Sequence, residues 1–237
     1  MRSLSSKIAS KFRRGEALDA EELTHRRVAM VTEQIAGRGI RDRYLLQAMR
    51  EVPRHEFLPK NARCHAYEDR PLSIGEGQTI SQPYIVAAMI EPLGCGSDDH
   101  VLDIGTGSGY QAAILARLVR SVVSIEFRPS LAAQARKTLT RLGILNVTVL
   151  DGDGSDGAPI FSPYDAIVVA AGAPAVPPDL LSQLSKRGKM VVPVGTTDLQ
   201  HLTFLRRSGQ SLNEEVRESC VFVPLVGRQG WRHSGAK

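Results

Sequence analysis

HVLDIGTGSGY, residues 100–110, is the stretch whose reading decides the fold. Residues 100–105 are apolar enough for a buried strand, and residues 110–118 have the spacing of a helix. Between them Gly105, Gly107 and Gly109 make a turn of the kind at which a ligand approaches a doubly wound sheet. Glycine at such a place lets the backbone reverse tightly and come close to that ligand. Working outward, strand and helix patterns alternate. Residues 121–127 read as a strand, 131–142 as a helix, 147–150 and 165–170 as strands, 180–184 as a short helix and 189–194 as a strand. Alternation of this kind predicts an α/β fold whose mostly parallel sheet is covered on both faces. Residues 202–206 and 220–225 read as two more strands, which would pair as an antiparallel hairpin at the sheet edge.

Upstream, Leu23, Val28, Met30, Val31 and Ile35 recur at helical intervals until Gly37 and Gly39 stop the pattern. Asp42 is placed to cap a second helix that Pro53 ends, and a third helix is expected over 82–93. Residues 53–80 read as irregular. The expected organisation is a poorly ordered basic tail over 1–20, then one domain over 21–237. Within it, 21–96 forms a helical and substrate-loop part, 97–200 the cofactor-binding core and 201–237 the edge strands.

Composition bounds the function. The chain has 237 residues, 42% hydrophobic and 23% charged, which excludes collagen-like and wholly disordered classes. No apolar run is long enough for a membrane span. Of the net charge of +5, the first 20 residues hold five basic side chains (Arg2, Lys7, Lys11, Arg13, Arg14) against Glu16 and Asp19. So little excess remains for the rest that no nucleic-acid surface is expected there. Cys64, Cys95 and Cys220 are odd in number and far apart, which fits a reducing compartment and a cytoplasmic location. The six histidines have no HExxH spacing, and no metal site is expected.

The glycine spacing narrows the ligand. A dinucleotide fingerprint is GxGxxG, whereas residues 105–109 give GxGxG, one residue short. A pyrophosphate wants the helix N-terminus open to its charge, and S-adenosyl-L-methionine has no phosphate. The loop offers Asp103, Gly105, Thr106, Gly107, Ser108 and Gly109 to such a cofactor. Glu126, at the next strand end, is placed to accept from both ribose hydroxyls. In DGDG (151–154), Asp153 with Gly154 is placed to meet an adenine amino group. These three features stand at three successive strand ends and converge on one crevice.

GEGQTISQPY (75–84) carries two readings. Thr79 and Gln82 fit a capping box, and Ser81 fits an N-cap with Pro83 in the first turn. Alternatively the segment folds over the C-terminal edge of the sheet, and Thr79 and Ser81 offer hydroxyls to a substrate.

GEGQTISQPYIVAAM (75–89) followed by VLDIGTGSGYQAAILARL (101–118) resembles the protein-L-isoaspartate O-methyltransferase family. So do EVPRHEFLP (51–59), the GDG turn at 152–154 and VFVPLVG (221–227), and the likeness runs from about 25 to 231. The glycine loop alone would indicate only the wider adenosylmethionine-dependent class. The resemblance implies a Rossmann-like methyltransferase sheet and S-adenosyl-L-methionine as cofactor. It also implies methylation of the free α-carboxyl of L-isoaspartyl, and in some members D-aspartyl, residues in damaged proteins. The ester then re-closes to a succinimide, which starts repair. The implied partners are isoaspartyl peptides and proteins, with no nucleic acid and no membrane, and a monomer is expected. Carried onto this sequence, Ser81 is the active-site serine, read as a hydrogen-bond donor to the carboxylate. Thr79, Ile80 and Gln82 close the pocket over the cofactor, and Tyr84 flanks the substrate. The acceptor acid is already ionised at neutral pH, so no strong base is required. Two other functions compete: methyl transfer to RNA or a small molecule, and a non-catalytic adenosylmethionine-binding module. The GQTISQP segment argues against both.

Overall fold

Successive side chains along a strand point to opposite faces of its sheet, and here both faces are apolar. Val101, Val122, Ala166, Val168 and Val191 enter one buried cluster, while Leu102, Val123, Ile167, Val169 and Met190 enter another. The computed structural model describes residues 19–232. Two short strands, β1 (Leu72–Gly75) and β2 (Gln78–Ile80), pair antiparallel apart from the main sheet. The main sheet contains β3 (His100–Ile104), β4 (Ser121–Glu126), β5 (Val147–Asp151), β6 (Tyr164–Val169), β7 (Leu184–Gly195), β8 (Gln200–Ser208) and β9 (Ser211–Cys220). Its strand order is β5-β4-β3-β6-β7-β8-β9, parallel as far as β7 and antiparallel from β7 to β9.

Helices cover the sheet. They are α1 (Ala20–Ala29), α2 (Arg43–Glu51), α3 (Pro83–Ile90), α4 (Tyr110–Ala116), α5 (Pro129–Arg141) and α6 (Pro178–Ser182). The first expected helix is present as α1, continued by a π-helical turn over Met30–Ile35 and a 3-10 turn that ends at left-handed Gly39. The Asp42 side chain caps α2 by accepting from the amides of Tyr44 and Leu45.

The chain runs outward through β3, β4 and β5, then returns to lay β6 against the free side of β3. Strand order therefore reverses between β3 and β6, and the crevice beyond their C-terminal ends is where such a sheet binds ligands.

Three expectations are corrected. Residues 53–80 are not wholly irregular: they hold 3-10 turns and the β1–β2 hairpin. The tip residues Gly75, Glu76 and Gly77 all have left-handed φ, which the flanking glycines make cheap. The second edge strand is Ser211–Cys220, not 220–225. Nine of its ten residues are exposed, so no apolar alternation marks it, and Glu214, Glu215, Arg217 and Glu218 guard it as charged edges do. Residues 221–225 are apolar for another reason: they cross over the crevice, bonding Gly172 through Val223 and Leu225. Finally, β7 begins at Leu184, earlier than expected, with an irregular register against β6. Of the tail expected over 1–20, residues 1–18 lie outside the described residues, while Asp19 and Ala20 are the N-cap and first residue of α1. Among the described residues no helix is long and apolar enough to cross a membrane.

Candidate active site

A cleft of about 630 Å³ opens at the strand-order reversal. Its floor is made of Ile104 and Gly105 from the end of β3, Ile125 and Glu126 from β4, Gly154 after β5, and Ala170 and Ala171 after β6. Its roof comes from Gln78 and Thr79 on one side and from residues 223–226 with Trp231 on the other. Phe127, Arg128, Thr197 and Arg232 complete the rim.

The glycine loop has the conformation its spacing suggested. Gly105, Gly107 and Gly109 have φ of 87°, 52° and 89°, a region open mainly to glycine. A Cβ on Gly107 would stand 3.4 Å from the Ile74 side chain of the β1–β2 hairpin, an ordinary van der Waals contact, so it is the left-handed φ rather than lack of room that calls for glycine there. Glu126 is buried, and its two carboxylate oxygens accept from the amides of Gly107 (2.8 Å) and Arg128 (2.9 Å). A carboxylate has about four lone-pair sites, so two stay available toward the cleft. The residues therefore fit a ribose diol over an unbranched glycine cradle.

Asp103 does not face the cleft. It is fully buried beneath the loop, accepting from Gln111 Nε2 and Ser124 Oγ, each at 2.7 Å. Thr106 Oγ1 meets Ser124 Oγ at 2.6 Å, so the loop is tied to the floor through a buried polar chain. Burial pushes the Asp103 carboxyl up to about 6, against the pull of those hydrogen bonds. Ser108 lies with Thr106 in a small cavity next to Ile80 and Ser81.

Asp153 is also turned elsewhere. Its Oδ1 accepts from the amide and hydroxyl of Ser155, and its Oδ2 accepts from the Arg228 amide at 2.7 Å. It anchors a C-terminal strap rather than lining the cleft, where Gly154 stands instead. A Cβ on Gly154 would press into Ile104 at 2.6 Å. The strap is held further by Gln229 N on Ser155 Oγ (3.0 Å) and by Trp231 Nε1 on the Gly172 carbonyl (3.0 Å). Arg228 pairs with Asp156 and Asp179 on the exposed side.

The capping reading of 79–82 does not hold. Gln82 is the N-cap of α3, and no side chain of the capping position closes the helix. Thr79 and Ser81 are thereby left free: among the described residues neither hydroxyl has a hydrogen-bond partner. Thr79 lines the main cleft and also a neighbouring groove of about 160 Å³ that Ser81, Gln82, Ile85, Pro71 and residues 219–223 enclose. Ala170 borders both. Ile80 is buried behind them. Tyr84 lies outside both cavities, with the Arg38 guanidinium 3.4 Å over its ring.

The groove supplies no nucleophile or base. Cys220 is the thiol on its wall, and burial pushes it up to about 11 while its Sγ faces the Gln200 carbonyl. Among the described residues no cluster of His, Cys, Asp and Glu is arranged to hold a metal ion. Phe127, Arg128 and Trp231 were not anticipated, and residues 223–225 were expected at the sheet edge rather than over the cleft. The apolar run after a charged stretch was the one signal for the crossing.

The family profile described as "Protein-L-isoaspartate(D-aspartate) O-methyltransferase" matches residues 25–230. A protein-L-isoaspartate O-methyltransferase of Methanoculleus marisnigri is 51% identical over 216 residues, covering 91% of this chain and 98% of its own. One of Pelobacter propionicus, numbered 2, is 54% identical over 210 residues, covering 87% and 93%. A solved protein-L-isoaspartate O-methyltransferase superposes with a TM-score of 0.78 at 31% identity, over 87% of this chain and 67% of that one. A Plasmodium falciparum structure assigned the same activity, in complex with S-adenosyl-L-homocysteine, has a TM-score of 0.74. At 23% identity, over 84% of this chain and 98% of that one, it supports the fold.

Proposed function

This chain belongs to the protein-L-isoaspartate(D-aspartate) O-methyltransferase family, and from that premise we propose how its residues divide the work of methyl transfer. The activity is transfer of a methyl group from S-adenosyl-L-methionine to the free α-carboxyl of isoaspartyl residues. When bound, the cofactor supplies an electrophilic methyl on a cationic sulfonium. The glycine cradle and Glu126 hold it, Glu126 accepting from the ribose hydroxyls with its remaining lone pairs. Gly154, Trp231 and the 223–226 crossing enclose its other end.

Ser81, with Thr79 beside it, donates to the acceptor carboxylate and holds one oxygen toward the methyl. Ser81 is a positioning donor and not a nucleophile, since the cavity walls give it no base. An acid that is already ionised needs alignment and exclusion of water, and alignment alone can supply about 7–11 kcal/mol of a barrier. The observation that carries this reading is the pair of unpartnered hydroxyls where cleft and groove meet. The groove's apolar walls, Ile85, Phe222 and Val223, suit an extended backbone and take little account of side chains. The peptide then lies against residues 219–223, the end of β9 and the start of the crossing. Three free thiols support a reducing, cytoplasmic setting.

The test is methyl incorporation from labelled cofactor into an isoaspartyl peptide and its aspartyl twin. Base-labile label in the isoaspartyl peptide alone is the expected result. Equal label in both, label in RNA, or none, contradicts it.

A further inference from the structure

The stretch that carries Ser81 is weakly anchored by its own sequence. Gln82 is the N-cap of α3 and Pro83 follows it, so the first turn has a missing N–H and no cap from its own residues. Asp69, outside both cavities, makes up the deficit. Its Oδ2 accepts from Gln82 Nε2 at 2.7 Å and from Arg38 Nη1 at 2.8 Å, and its Oδ1 faces the Tyr84 amide at 3.4 Å. The carboxylate therefore grips the chain on both sides of Pro83, at Gln82 next to Ser81 and at Tyr84. Arg38 reinforces the grip by lying over the Tyr84 ring. A second guanidinium, that of fully buried Arg54, is close enough to feel the Asp69 charge.

We propose that Asp69 is a positioning residue for methyl transfer, fixing the Ser81 hydroxyl against the acceptor through Gln82 and the Tyr84 amide while touching neither donor nor acceptor. The inference rests on the role given to Ser81 above. A displacement of about 1 Å at an aligned group can cost about a hundredfold in rate. Loss of the carboxylate frees both contacts together, whereas the cofactor floor is built from other elements and keeps its shape.

The full-length chain tests this. Asp69→Asn is expected to lower kcat on an isoaspartyl peptide about tenfold or more and leave S-adenosyl-L-homocysteine affinity, measured by calorimetry, within about twofold. Asp69→Glu, which retains the charge and both acceptor oxygens, is expected to recover much of the loss. Arg38→Gln leaves Gln82 and Tyr84 held, and is expected to give the same signature at about two- to fivefold. An Asp69→Asn enzyme with parental kcat overturns the proposal. So does one whose S-adenosyl-L-homocysteine affinity falls in step with kcat, since that marks a general loss of structure. Should Asp69→Asn not fold, an Arg38→Gln enzyme at parental kcat overturns it equally. A parent without isoaspartyl activity removes the underlying reading as well, whereas an active parent with an indifferent Asp69 removes only this inference.

Discussion

The floor of the cleft takes its residues from the ends of four adjacent strands, β3 to β6, and the roof takes its from two segments, one before the main sheet's strands in sequence and one after them. Floor residues are placed by strand register and by contacts at a strand end: Gly107 on Glu126, Thr106 on Ser124, Ser124 on Asp103. The roof is tied down by side chains reaching across the fold. Ser130 donates to Glu76 at the hairpin tip, Asp69 grips Gln82, and Asp153 holds the strap at the Arg228 amide. A floor of this kind suits any adenosyl donor, because it presents glycine backbone and one carboxylate. On the reading proposed above, the choice of acceptor belongs to the roof, where the two free hydroxyls and the apolar groove are found. Donor binding and acceptor alignment should therefore separate under mutation.

The sharpest separation is expected at Ser81. Ser81→Ala should lower kcat about a hundredfold, the usual loss when an aligned donor is removed from an active site. Calorimetry with S-adenosyl-L-homocysteine should show affinity within about twofold of the parent. Parental turnover would break the division between roof and floor.

A floor counterpart lies in Asp103. Its carboxyl stands at about 6 when folded against an ordinary value of 3.8, so the folded state holds the proton more tightly. Stability from this group is complete below about pH 4 and is lost as pH rises through about 6, a swing of about 3 kcal/mol. Asp103→Asn removes the titration. Urea unfolding of the variant, relative to the parent, should therefore gain about 3 kcal/mol between pH 4 and 7.5. Parallel curves for the two proteins would show that the buried carboxyl does not titrate in that window.

A smaller effect is expected at Glu126. Glu126→Ala removes charged acceptors worth about 2 kcal/mol, or about 30-fold in S-adenosyl-L-homocysteine affinity. Turnover at saturating cofactor should stay near the parent. A fall in kcat with unchanged affinity would place Glu126 with the roof.

The same contrast explains what could be read in advance. The floor was legible because apolar strands and a glycine turn leave local patterns, and Glu126 follows from its place at a strand end. Asp103 and Asp153 were given to the ligand because sequence position marks a strand end but not the direction of a side chain. Each is taken by a protein partner, Gln111 and the Arg228 amide, that lies across a helix or at the far end of the chain. The roof was legible only as a motif. Its capping reading failed because Asp69, a residue distant in sequence, supplies the bonds that a local cap would have made. β9 escaped because an exposed, charged edge strand has no buried face to set a period, and 220–225 was mistaken for it because a crossing over a cleft is equally apolar.

The most direct test is a co-crystal structure of the chain with S-adenosyl-L-homocysteine and an isoaspartyl peptide. The expected structure has the ribose on Glu126, the peptide in the groove along residues 219–223, and the isoaspartyl carboxylate within hydrogen-bond distance of Ser81 Oγ. A carboxylate held elsewhere, with Ser81 facing away from it, would contradict the account.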